Sequence, residues 1–217
     1  SFPATAAVVR HARAMLARQE LIENAAKQMG MPLGPLQLVD ETSIDLGVKI
    51  AKATRAAMGD AYPDAAADGV LFTLADLGRL GRKAKAGFYA YDDRGARQGL
   101  WPGLATHWPV AEAQPDAVEV QRRLGMAQAL EAVRALEEGV LTDIREGDVG
   151  AILGWGFMPW SGGPFGWLDI LGAARAVEIC EGLAAAYGPR FAPPALLREL
   201  AAAGTGFYAR FAPAVAA

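Results

Sequence analysis

The sequence predicts an all-α protein built from two tandem helical units, and three observations carry that reading. Apolar residues recur at spacings of three and four along most of the chain, the period of a helix with one buried face. No run of alternating β-branched residues competes with them. One ordered set of local features also occurs twice, once in each half.

The stretch from Thr5 to about Met29 is rich in alanine and stops at Gly30-Met31-Pro32. Ser43 or Asp45 opens a second helix that runs to Gly59. Asp68 can cap a third, with Leu71, Leu74 and Leu77 on one face and Gly81 beyond its end. Residues 82–91 read as an extended tail, followed by the turn signal Asp92-Asp93-Arg94-Gly95. From 95 to 117, Gly, Pro, Trp and Gln follow one another without periodicity, which reads as a linker. A long helix comes next, with Met126, Leu130, Val133, Leu136 and Val140 on one stripe and Gly139 near its end. Asp143 with Glu146 resembles a capping pair for a short helix ending at Gly154. Residues 154–166 are a loop of Gly, Pro and aromatic residues. Another helix runs from about Leu171 to Tyr187, and Pro194 starts a last one that Gly204 ends.

The repeat lies in the corners between helices. Gly34-Pro35-Leu36-Gln37-Leu38-Val39-Asp40 matches Gly163-Pro164-Phe165-Gly166-Trp167-Leu168-Asp169. A short helix and a turn precede each copy, Met29-Gly30-Met31-Pro32 in the first and Gly156-Phe157-Met158-Pro159 in the second. A helix follows each copy, and later the same tetrapeptide, Gly87-Phe88-Tyr89-Ala90 and Gly206-Phe207-Tyr208-Ala209. These features, matching in order, indicate two homologous domains, 1–94 and 118–217, joined by the linker 95–117. Pro fixes φ and removes a donor, so the motif makes a tight corner whose Asp can cap the next helix. The alternative is that the same corner lines a ligand. Matching patches suit an isologous contact, so the domains are expected to be related by an approximate two-fold axis, with residues 24–60 overlaying 147–188.

Aligned on their aspartates, the first unit is a few residues short between Leu16 and Leu21. Either two helices have fused there or an exposed turn has been dropped. The bend both helices must make over one core favours the dropped turn, and with it a break in the chain.

Composition excludes several classes of function. The net charge of −3 offers no basic face for nucleic acid. Cys180 is the only cysteine, so no intramolecular disulfide forms, a reducing compartment fits, and a buried structural thiol is expected. Every apolar run is broken before the ~20 residues a membrane span needs. Ser1-Phe2-Pro3-Ala4 lacks the layout of a signal peptide, and a start without Met suits a fragment. The chain reads as soluble and cytoplasmic.

Met29-Gly30-Met31-Pro32-Leu33-Gly34-Pro35, Asp40 and Ile44-Asp45-Leu46-Gly47 resemble the C-terminal domain of 3-hydroxyacyl-CoA dehydrogenases. Gly81-Arg82-Lys83 and Gly87-Phe88-Tyr89 resemble the segment that ends that domain. The stretches 133–139 and 156–169 resemble the additional repeat of the multifunctional fatty-acid oxidation enzymes. The likeness covers about residues 20–92 and 117–208, and Lys85 departs from it, standing where the family usually has Gly. It implies a helical fold like the C-terminal part of 6-phosphogluconate dehydrogenase. It also implies NAD-dependent oxidation of a 3-hydroxyacyl-CoA in fatty-acid β-oxidation, with a His/Glu pair and the NAD site on a preceding Rossmann domain. No G-x-G-x-x-G follows a strand here, so no catalytic or cofactor-binding residue is assigned to this chain.

The remaining candidates are weak chemically. His11 lies between Arg10 and Arg13 on a charged helix segment, and His107 sits beside Trp108-Pro109, so both read as surface groups. Two histidines and one cysteine make a poor zinc set, and Ser161 has no strand before it to form a nucleophile elbow. The corner Met31, Pro32, Leu33, Gly34 and Pro35 is the candidate wall of the acyl-CoA cleft, because rigid apolar groups suit an acyl chain. Arg82, Lys83 and Lys85 could attract CoA phosphates or simply form a solvated turn. By resemblance, the partners are the chain's own Rossmann domain, acyl-CoA, and a homo-oligomer or β-oxidation complex. The competing class is a free-standing helical assembly module without catalysis.

Overall fold

A computed structural model describes residues 19–59, 62, 68–110 and 112–211. Contacts divide the chain into two compact units, Ser1–Lys27 with Leu33–Val120, and Gln28–Pro32 with Gln121–Ala217. The described residues are mostly helical, as the periodicity predicts, with one two-stranded antiparallel sheet among them. None of their helices is long and apolar enough to cross a membrane. The expected break falls partly outside the described residues: Gln19–Leu21 lie in a helix, and residues 16–18 are not described.

In the first unit, α1 (Gln19–Gln28) buries Ile22, Ala25 and Ala26, together with the acid Glu23. After the corner come α2 (Pro35–Thr42), α3 (Ile44–Met58) and α4 (Asp68–Asp76). Their core is built on Leu36, Val39, Ile44, Leu71, Leu74 and Phe88. Leu77, expected on the same face of α4, lies beyond its end and is exposed. Asp68 is itself buried, and its carboxylate accepts hydrogen bonds from Arg55 and Tyr62.

The tail is more ordered than expected. Residues Arg82–Ala84 make a 3-10 turn, and β1 (Tyr89–Tyr91) pairs with β2 (Arg97–Leu100) through the turn at Asp92–Gly95. A short helix, α5 (Gly103–His107), follows and buries Leu104 in the same core, with Leu100, Trp101 and Trp108 packed against it. The first part of the stretch read as a linker thus closes the first unit. Its apolar residues sit at 100, 101, 104 and 108, a helical spacing too short to stand out among Gly and Pro.

In the second unit, α6 (Ala117–Glu137) buries Leu124, Met126, Leu130 and Val133, while Val140 lies past its end and is exposed. Arg123 is also buried on α6, with its guanidinium 3.6 Å from the centre of the Tyr187 ring. There follow α7 (Ile144–Trp155), α8 (Pro164–Leu171), α9 (Ala173–Tyr187), α10 (Ala195–Ala203) and α11 (Phe207–Phe211). The supposed loop 154–166 therefore already contains the first turn of α8 and a 3-10 turn at Pro159–Ser161. Glu137 caps α10 from outside, accepting from the Leu196 amide at 2.6 Å.

Two predictions follow from local geometry. Lys85 holds φ +58°, in the left-handed region, at the end of the 3-10 turn. A side chain in that conformation costs about 1 kcal/mol. Lys85→Gly should therefore raise the thermal midpoint by roughly 2–4 °C in calorimetry. A lowered midpoint would mean that the Lys85 ammonium bond to the Asp93 carbonyl outweighs the relief.

Asp143 caps α7 as expected, accepting from the Arg145 amide at 2.9 Å. The Arg145 guanidinium, hydrogen-bonded to the carboxylate, and the amide bond together hold its pKa down to about 2. A folded value below the unfolded 3.8 means that this stabilisation is complete above that pH and is lost as pH falls through about 2. Asn keeps the acceptor but not the charge. The stability gap between parent and Asp143→Asn, read from urea midpoints, should shrink as the pH falls through that window.

Candidate functional site

Each unit is organised around two carboxylates that accept hydrogen bonds from distant backbone amides. In the first, Glu23 on α1 takes the Leu36 amide at 2.6 Å and the Tyr89 hydroxyl at 2.7 Å. Asp40 on α2 takes the Phe88 and Tyr89 amides at 2.8 and 2.9 Å, and the Tyr91 hydroxyl at 2.9 Å. In the second, Asp148 on α7 takes the Phe165 and Gly166 amides at 2.8 and 3.0 Å, and the Tyr208 hydroxyl at 2.9 Å. Asp169 on α8 takes the Phe207 and Tyr208 amides at 2.7 and 2.9 Å.

The pattern repeats in its main bonds, with Asp148 taking one amide more than Glu23 and Asp40 one hydroxyl more than Asp169. One acid caps the helix that begins at Gly-Pro, where the amides and the helix dipole favour negative charge. The other acid holds the Gly-Phe-Tyr segment. The repeated aspartates were expected to cap the helix that follows them. They instead face the tail, and Ser43, which precedes α3, makes no capping bond of its own. The backbone repeats as well, with φ +80° at both Ser43 and Gly172.

Close approach explains the invariant letters of the two copies. A Cβ on Gly34 would lie 2.3 Å from a Glu23 oxygen, and one on Gly163 would lie 2.4 Å from the Asp148 side chain. A Cβ on Gly87 would lie 2.1 Å from an Asp40 oxygen, and one on Gly206 2.6 Å from an Asp169 oxygen. Each glycine gives a carboxylate room to reach backbone.

Burial pushes the Asp40 carboxyl above its ordinary pKa, against the opposing pull of the Tyr89 and Phe88 amides, the Tyr91 hydroxyl and Arg79. Burial also pushes Asp148 up, opposed by the Phe165 amide, the Tyr208 hydroxyl and the Gly166 amide. Burial raises the tyrosines too, Tyr208 to about 12, so their hydroxyls keep the protons they donate. In the first unit Arg79 braces the tail from the other side. It donates to the Gly87 and Tyr89 carbonyls at 2.8 and 3.0 Å and lies 4.1 Å over the Trp101 ring.

Of the five residues expected to line a ligand, Met31, Gly34 and Pro35 are buried. Pro32 is exposed and Leu33 half-buried, so these two have surface to offer. Segment 28–32, grouped with the second unit, meets the matching turn reciprocally. The Gly30 Cα faces Pro159 and Trp160, while the Gly156 Cα faces Pro32. The Trp160 indole donates to the Met29 carbonyl at 2.6 Å.

Arg82 pairs with Glu41 at 3.1 Å, Lys85 bonds the Asp93 carbonyl at 2.7 Å, and Lys83 is exposed, which describes a solvated turn. His107 is exposed at the end of α5, its ring centre 5.6 Å from those of Trp101 and Trp108, and His11 lies outside the described residues. Ser161 is buried and donates to the Met158 carbonyl at 2.7 Å. Cys180 is a buried free thiol against Met126, with burial pushing its pKa to about 11. No group of metal ligands occurs among the described residues.

The same residues do not fit NAD. A pyrophosphate needs an open helix N-terminus after a glycine turn. The N-termini of α2 and α8 are already filled by Glu23 and Asp148. The site is a carboxylate clamp, with its oxygens engaged by the protein's own donors.

Known proteins share parts of this sequence and this fold. Residues 2–91 match the family of the 3-hydroxyacyl-CoA dehydrogenase C-terminal domain. That match takes in less than half of the chain. A similar curated protein is the fatty acid oxidation complex subunit alpha of Shewanella amazonensis, 40% identical over 190 residues. That match takes in 86% of this chain but only 26% of the relative's length. Among solved structures, the chain resembles 3-hydroxybutyryl-CoA dehydrogenase from Escherichia coli, with a TM-score of 0.62 at 21% identity over 91% of this chain and 57% of the other. It also resembles the dehydrogenase part of multifunctional enzyme 1 from C. elegans, with a TM-score of 0.64 at 21% identity over 91% of this chain and 46% of the other. At that identity the structural likeness speaks for the fold alone.

Glu23 and Asp148 were not legible as site residues. Their signal was an acid on an otherwise apolar helix face, beside Ile22, Ala25 and Ala26 in one case and four residues after Ile144 in the other. Gly87→Ala should destabilise the chain by roughly 3–5 kcal/mol, since it displaces Asp40 and strands two amides. Gly206→Ala should cost less, its contact being longer. Equal urea midpoints for parent and Gly87→Ala would refute the clamp.

Proposed function

We propose that this chain is the helical C-terminal part of an NAD-dependent 3-hydroxyacyl-CoA dehydrogenase of fatty-acid β-oxidation. The observation that carries the reading is the 40% identity to a fatty acid oxidation complex subunit alpha over 86% of the chain. In this reading NAD and the His/Glu pair belong to a Rossmann domain of the full polypeptide. The helical part supplies one wall of the acyl-CoA cleft and a dimer-like helical contact. Pro32 and Leu33 face the acyl chain, and the buried Met31, Gly34 and Pro35 hold them rigid. A wall of this kind orients an apolar chain and keeps water from it. The enzyme works in the cytoplasm.

The second unit is a second copy of the first, kept for assembly rather than chemistry. The matched carboxylate clamps of the two units support this.

Purified residues 1–217 should neither bind NAD tightly nor oxidise a 3-hydroxyacyl-CoA, whereas the full-length polypeptide should do both, read as NADH absorbance. Turnover by residues 1–217 alone would overturn this division of labour. A full-length polypeptide without turnover would leave a helical assembly module as the reading.

A further inference from the structure

We propose that Glu23 is a positioning residue for the corner Leu33-Gly34-Pro35, and that its side-chain length helps set acyl-chain preference; this rests on the functional reading above. The Glu23 carboxylate is buried and reaches two separate segments at once. One oxygen accepts the Leu36 amide at 2.6 Å, in the first turn of α2, and the other accepts the Tyr89 hydroxyl at 2.7 Å, on β1. The space beside Gly34 is filled by the same carboxylate, with all three of its heavy atoms within 2.5 Å of where a Cβ would stand.

Pro35, the first residue of α2, has its φ fixed by its ring. The corner cannot move along α1 without breaking a charge-assisted bond or colliding with the acid. Leu33, half-buried two residues before α2, takes its place from that anchor.

The second unit contains the control. Asp148 does the same work on Phe165, Gly166 and Tyr208, with one methylene fewer. The longer Glu23 arm spaces α1 from its corner differently from the Asp148 arm. A clamp needed only for folding would register a change of acid in the thermal midpoint alone. A clamp that sets the position of a substrate-facing residue would register it in KM as well.

The experiment uses the full-length polypeptide, with kcat and KM measured for a short-chain and a long-chain 3-hydroxyacyl-CoA alongside thermal midpoints. Glu23→Asp and Glu23→Gln should raise KM for the long-chain substrate roughly three- to tenfold with kcat within about twofold, the weight of one weakened charged hydrogen bond. Tyr89→Phe, which removes only a hydroxyl, should shift KM in the same direction and keeps the test open if a Glu23 variant fails to fold. Asp148→Asn should lower the thermal midpoint and leave KM unchanged. Unchanged KM in the Glu23 variants and Tyr89→Phe, or an equal rise in Asp148→Asn, would overturn the inference. Leu33→Trp tests the underlying reading separately. If it leaves long-chain KM untouched, the corner is no wall and both fall. If it shifts KM while the Glu23 variants do not, only the positioning role fails.

Discussion

A buried carboxylate is expensive to desolvate, and its placement is constrained by the donors that must meet it. In this protein that constraint organises both units. The buried Glu23 and Asp40 in one, and the buried Asp148 with the half-buried Asp169 in the other, accept bonds from amides that no helix or strand supplies with a partner. The helix that begins at Gly-Pro has unsatisfied amides in its first turn. The acid on the preceding helix meets them. The Gly-Phe-Tyr segment brings two more amides, and the acid on the next helix meets those. Helix, corner and tail become one hydrogen-bonded unit around an apolar core.

The clamp also accounts for features that have no separate explanation. Glycine precedes both prolines because the acid occupies the space of a side chain, and glycine opens both tails for the same reason. The tyrosine of each tail closes the circuit by donating to the first acid, Tyr89 to Glu23 and Tyr208 to Asp148. Around this shared frame the units diverge. The first continues into the β1–β2 hairpin, where Tyr91 gives Asp40 a third donor. The second continues into α11, where the Phe207 ring packs at a tilt against Phe165, centroids 5.1 Å apart. Within this frame all four acids, Glu23, Asp40, Asp148 and Asp169, are occupied in holding backbone.

Local sequence determined the helices and the recurrence of the corner, because both depend on short-range rules. Spacing of apolar residues marks a buried face, and Gly-Pro marks a turn wherever it occurs. The family resemblance was legible for the same reason, since it lies in continuous motifs such as 29–40 and 156–169. The stop of α9 near Tyr187, the cap at Asp143 and the end of α10 at Gly204 were all readable from residues within a turn of each boundary.

Tertiary structure alone decided what the acids do. Asp40 lies 48 residues from the Phe88 amide it binds, and Glu23 lies 66 from the Tyr89 hydroxyl. No local pattern distinguishes an acid that caps the next helix from one that grips a tail so far along the chain. The hairpin and α5 escaped for a related reason: short elements hold their shape only against a core, and Leu104 and Trp101 find theirs in helices far away in sequence. The surface of the corner was likewise undecided by the letters 31–35. Burial of Met31, Gly34 and Pro35 and exposure of Pro32 depend on what packs against them, and only the folded chain supplies that.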